Sequence, residues 1–150
     1  MLKKAVLATS LVLAAAVAAA AAAPQGTEAI LARQKILKSF GEAAKPVGAM
    51  LKGQEPFDLA TVQKALNTYI DGTKELPNLF PDDSKTGEKT EALPHIWEDK
   101  AKFVSLYGKL GDDAKAALTA ITDEASFKAN MGKVFGDCKS CHDDFRQKKQ

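Results

Sequence analysis

Cys138, Lys139, Ser140, Cys141 and His142 form a C-x-x-C-H run near the end of a 150-residue chain. This is the attachment pattern of c-type haem. Chemistry explains the spacing. Two thiols add to the two vinyl groups of a porphyrin as thioethers, and the adjacent imidazole faces the iron as an axial ligand. On a helix turning roughly 100° per residue, Cys141 lies about −60° and His142 about +40° from Cys138. All three then project toward one flat ligand. Met131, Val134, Phe135 and Phe145 fall on the same stripe, between about −40° and +60°. The stripe reads as the core face of a helix, and a haem set against it becomes part of that core.

Other uses of the Cys pair fit less well. Zinc needs four ligands, and only His95 and His142 remain among the histidines to complete the set. A dithiol redox motif opens a helix after a strand, whereas this one lies late in a terminal helix. A structural disulfide has no need of the adjacent His.

Four helical patterns must position these residues, and no strand pattern is convincing. The first runs from about Thr27 to Lys52, with Ile30, Leu37, Phe40, Ala44, Val47 and Leu51 at helical spacing. Pro46 predicts a kink near 41–46. The second starts at Asp58, a good N-cap, continues through Leu66, Tyr69 and Ile70, and stops at Pro77. Residues 76–93 form the longest loop. Pro94 opens the third helix, in which Gly108, Gly111 and Asp112 leave open one broken helix or two. The fourth spans about Asp123 to Lys148, with Lys148 and Lys149 suited to its negative pole. The expected fold is all-α, an antiparallel up-down four-helix bundle with a haem attached near the C-terminus.

Lys3 and Lys4 precede an apolar run from Ala5 to Ala23, the pattern of a secretory signal peptide. Cleavage between Ala22 and Ala23 is expected, giving a signal peptide at 1–22 and one domain at 23–150. Export by such a signal implies the periplasm, with no membrane insertion of the mature chain. Of the 21 Lys and Arg, 19 then remain against 19 Asp and Glu. A neutral protein has no basic excess to hold a phosphate backbone, so nucleic acid is not an expected partner. The content is 45% apolar and 27% charged, as in a globular domain.

The mature sequence strongly resembles cytochrome c′, the class II c-type cytochromes. The resemblance is carried by ARQKILKSFGEAAKPVGAMLKG in the first helix, LPNLFP before the loop, LPHIWEDKAKF opening the third helix and CKSCHDDFRQKK at the end. It implies one haem c per chain, with Cys138 and Cys141 as the thioether residues and His142 as the only axial ligand. It also implies Leu37 as an apolar residue over the open iron face, Arg33 beside the haem propionates and Arg146 at the border of the proximal pocket. Phe145 fills core around the haem. Some relatives have a low-spin haem ligated by a Met near the position of Leu37. Met50 lies thirteen residues further on, roughly 20 Å along a straight helix, and is a poor substitute. Family members are usually homodimers through the first two helices; here Ile36, Ala43 and Met50 offer a candidate stripe.

The expected function is periplasmic electron transfer through a five-coordinate, high-spin haem, with a redox partner the sequence does not name. The alternative is binding or scavenging of nitric oxide or carbon monoxide at the open face. A catalytic role is not expected, because no constellation of His, Cys or carboxylates stands out beyond the haem site. Mass spectrometry after acid-acetone extraction is expected to give the mature chain plus one haem. Haem leaving with the solvent would exclude thioether attachment.

Overall fold

The structure, a computed structural model, describes residues 25–148. The expected signal peptide and Lys149 lie outside them. Five α-helices follow in order: α1 Gly26–Leu51, α2 Leu59–Glu75, α3 His95–Glu98, α4 Lys100–Ala120 and α5 Glu124–Phe145. Four are long, and α3 is a single turn leading into α4. Among the described residues, no helix is long and apolar enough to cross a membrane.

Side-chain caps start three of the long helices. Asp58 Oδ1 accepts from the Ala60 amide at 3.1 Å, and Asp99 Oδ1 from Lys102 at 3.1 Å. Asp123 and Ser126 form a reciprocal capping box at the start of α5. Asp99 is where the third helical pattern divides. α4 then continues without a break through Gly108 and Gly111. Pro46 is likewise accommodated inside an uninterrupted α1. Its missing donor frees only the carbonyl of Glu42, an exposed residue, so solvent can satisfy it.

The helices pack in sequence: α1 on α2, α2 on α4, and α4 on α5. Two core clusters of contact are aromatic. Phe40 meets Tyr69 edge-on across α1 and α2, and Phe103 contacts Phe80, Tyr107 and Phe145. The α1–α2 crossing depends on Gly72. A Cβ there would stand 2.4 Å from the Phe40 ring and 2.7 Å from Ile36. This contact corrects the expected dimer stripe: Ile36 faces α2, and Met50 is buried in the core.

α5 stops at Phe145, short of the expected Lys148. Arg146 turns to an extended conformation (φ −120°, ψ 135°) and pairs antiparallel with Ala92. The Leu93 amide donates to the Phe145 carbonyl at 3.0 Å, and Gln147 to Glu91 at 2.8 Å. These bonds satisfy the backbone at the helix end better than another turn could while the loop lies alongside.

The long loop is therefore a strap between α1 and the end of α5. Arg33 of α1 holds its other side. One terminal nitrogen donates to the Leu79 carbonyl (3.0 Å) and to Ser84 Oγ (2.8 Å). The other donates to the Ser84 carbonyl (2.9 Å) and to Thr90 Oγ1 (2.9 Å). The guanidinium also lies 4.4 Å from the centre of the Phe80 ring. At the tip, Gly87, Glu88 and Lys89 all have positive φ (107°, 45° and 52°). Only the glycine adopts this without cost. Gln34 Nε2 secures the tip by donating to the Glu88 carbonyl at 2.8 Å.

Three substitutions test this packing. Gly72→Ala is expected to destabilise the protein by about 1–3 kcal/mol through overpacking, measured by thermal unfolding. Gly132→Ala, with open space around its Cβ, is expected to stabilise it by roughly 0.5–1 kcal/mol. Arg33→Met removes four charge-assisted bonds and is expected to cost on the order of 3 kcal/mol. It should also accelerate tryptic cleavage at Lys85 and Lys89; unchanged cleavage would show that the strap is held by something else.

Candidate haem site

α1 and α5 make no extended contact with each other. A cavity of about 550 Å³ lies between them, lined by residues of both and by α2, α4 and the strap. That volume lies within the roughly 300–1,000 Å³ typical of ligand and cofactor pockets. The lining is mostly apolar: Leu37, Phe40, Ile96, Leu106, Leu110 and Phe145 among others. The cavity is not deeply enclosed by the chain, so water would reach these surfaces unless something else covers them.

Every residue assigned to the site by the sequence borders this cavity. α5 contributes Cys138, Cys141, His142 and Phe145, followed by Arg146; α1 contributes Arg33 and Leu37. Val134 and Met131 of the same stripe are fully buried one and two turns earlier, where α5 packs on the bundle. The fourth helix thus starts by packing on protein and ends facing the cavity.

The two thiols are free and half-buried. Burial pushes both pKa values up, for Cys141 to about 11, and each also feels neighbouring negative charge. A thiol–disulfide exchange site requires the opposite, a thiol whose thiolate is stabilised. Among the described residues, no three His, Cys, Asp or Glu gather as they would around a zinc ion. A porphyrin answers the arrangement better: an apolar plate to fill the cavity, with vinyl groups for two thiols that stay protonated and apolar until they react.

His142 sits at the rim, bordering the cavity while the residue as a whole stays exposed. Its pKa is lowered, first by partial removal from water and then by the Arg146 charge; Glu91 and Asp143 act in the opposite sense. A neutral imidazole is the form that ligates iron. His95 lies on the surface, stacked on Phe145 at 5.2 Å with Nδ1 3.3 Å from Glu98, and does not line the cavity.

Arg33 is only 2% exposed, which excludes a solvated surface role. It borders the cavity, yet its two terminal nitrogens are committed to the strap. Arg146 does not continue the helical face of His142, because α5 has ended. It reaches the cavity from the extended segment instead, and its Nε donates to Glu91 Oε2 at 2.7 Å.

Several lining residues carried no functional signal in the sequence. Tyr69 and Tyr107 read simply as apolar positions of their helices. Burial raises both phenol pKa values, so each is a neutral hydroxyl. Asp137 precedes the motif, and Glu91 lies in the loop. Among the described residues, the buried side-chain polar atoms without a partner are Tyr69 Oη and Asp137 Oδ2. Both belong to cavity-lining residues. Orphaned groups of this kind cost free energy and fit a site whose occupant completes it.

A family model described as Cytochrome C' matches residues 28–146. A cytochrome c′ of Rhodopseudomonas palustris is 61% identical over 123 residues, covering 82% of this chain and 84% of that protein. A cytochrome c-556 of Agrobacterium fabrum is 37% identical over 118 residues, covering 78% of this chain and 80% of that protein. The solved structure of cytochrome c′ from Rhodopseudomonas palustris aligns with a TM-score of 0.81 at 60% identity, over 83% of this chain and 99% of that chain. The match takes in both helices that wall the cavity and the strap between them, and the chain belongs to the cytochrome c′ family, whose members carry haem c in covalent linkage.

Proposed function

We propose that the chain is an exported, periplasmic electron-transfer protein that holds one haem c through Cys138, Cys141 and His142. When bound, the haem supplies a one-electron Fe(III)/Fe(II) couple. The cavity between α1 and α5 carries this reading, because it brings the thiols, the imidazole and an apolar wall to one place. The chain's part is to hold, orient and shield. Cys138 and Cys141 anchor one edge, and the α5 backbone sets the direction of His142. Phe40, Phe103 and Phe145 keep water from the interior. Arg33 and Arg146 supply positive charge suited to the carboxylates of a porphyrin, Arg33 through its charge and remaining Nε–H.

A specific observation favours gas binding as a second reading. Among the described residues, His142 is the one histidine of the lining, and no methionine is part of it. Met50 is buried elsewhere in the core. Leu37, half-buried on the α1 wall, has no lone pair to give iron. This supports a five-coordinate, high-spin site where nitric oxide or carbon monoxide must displace Leu37. The two readings are compatible, since both would use the one haem held by Cys138, Cys141 and His142. Neither asks for an enzymatic residue.

A homodimer through α1 and α2 remains part of the proposal. With Ile36 and Met50 turned inward, its contact moves to the outer groove around Ser39, Glu42, Pro46, Lys64 and Thr68. That surface mixes polar and apolar groups, as many non-obligate interfaces do.

Visible and electron paramagnetic resonance spectra of the holoprotein are expected to be high-spin. Leu37→Ala is expected to speed carbon monoxide association by opening space over the iron, read by flash photolysis. Leu37→Met is expected to offer a thioether and shift the spectrum toward low spin. A native protein already six-coordinate and low-spin, or an association rate unmoved by Leu37→Ala, would overturn the role given to Leu37.

A further inference from the structure

The joint between the strap and the end of α5 combines a side-chain ion pair with backbone hydrogen bonds. Arg146 Nε donates to Glu91 Oε2 across 55 residues of sequence. The backbones on either side are paired as well: Ala92 bridges Arg146, and Gln147 donates to the Glu91 carbonyl. The Arg146 amide in turn donates to the His142 carbonyl at 3.3 Å. The chain of contacts therefore runs from the strap to the turn that bears His142. The ion pair itself is 38% and 43% exposed. A pair so exposed adds little to stability, typically about 0–1 kcal/mol. Its effect on its surroundings is of another kind. It fixes a cation beside His142 and places a carboxylate against that cation.

We infer that Glu91 is a positioning residue that holds Arg146 at the rim of the cavity and offsets its charge beside His142, thereby setting the reduction potential of the bound haem. The inference rests on the reading of His142 as the axial ligand. An uncompensated cation near the iron favours the less positive, reduced metal, and a paired cation does so less. Glu91 and Arg146 both border the cavity, so their charges face the site and not only solvent.

The holoprotein tests this by spectroelectrochemical titration. Glu91→Gln keeps an acceptor for Arg146 and removes the charge; the potential is expected to rise. Arg146→Gln is expected to lower it, and the double variant to return close to the native value. Glu91→Asp retains the charge and is expected to stay nearer native than Glu91→Gln. The shifts are expected to shrink in high salt. A merely structural role would move both single variants in the same direction. Amide exchange supplies a readout independent of the haem: Glu91→Ala is expected to speed exchange at Leu93 and Gln147. An iron–imidazole stretching band in the reduced native protein establishes the reading beneath the inference, and its absence would remove both. With the band present, a potential unmoved by Glu91→Gln, or single variants shifting in the same direction, overturns the inference alone.

Discussion

The rest of the structure depends on a gap that the chain does not fill. α1 and α5 stand apart, and apolar side chains of both helices border the space between them. Protein interiors are normally close-packed, and a space of about 550 Å³ bordered by apolar side chains is a socket that a flat apolar cofactor completes. α4 packs against both α2 and α5, whose first half is buried on the bundle. α1 and the last two turns of α5 are held at a distance from each other by their packing on those helices. Covalent attachment suits such a socket, since the occupant then supplies core that cannot dissociate.

Holding the socket open without a fourth helix–helix seam requires another tie, and the strap provides it. Arg33 spends four hydrogen bonds on the loop while stacking on Phe80, and the far end of the loop pairs with Arg146. A buried guanidinium is costly unless its donors are met, and here carbonyls and hydroxyls of the loop meet them. The same contacts explain why an 18-residue stretch with little regular structure can be ordered. They also explain how consecutive left-handed residues at 88 and 89 are retained, a conformation that costs on the order of 1 kcal/mol each.

Electrostatics across the site follow from desolvation more than from pairing. The thiols, the phenols and the imidazole are all biased toward their neutral forms by removal from water. A neutral site suits a large aromatic plate, whose own carboxylates need cations only at the edge. Arg33 and Arg146 are cations that border the cavity, and each is anchored by the strap. The position of the strap and the charge at the cavity rim are therefore one structural problem with one solution.

Much of this was legible in the sequence. The C-x-x-C-H run and its apolar stripe determined the cofactor chemistry, because thioether and imidazole bonds require those side chains on one helix face. Asp58, Pro77, Pro94 and Asp123 marked helix ends, since caps and proline act through nearest neighbours. Leu37 and Arg33 shared a face for the same local reason, four residues apart on one helix. Other features depended on contacts between residues far apart in the chain. The helix break fell at Asp99 and not at the glycines, because packing overrides weak propensity inside α4. α5 ended at Phe145 because Ala92 offered its backbone there, and local sequence carried no sign of a partner 54 residues away. Met50 went into the core because the face of α1 that carries it packs against the rest of the bundle. Arg33 was read as a residue beside the cofactor, and only tertiary structure gave it the strap as well, since a guanidinium's partners are decided by which carbonyls the fold brings within 3 Å.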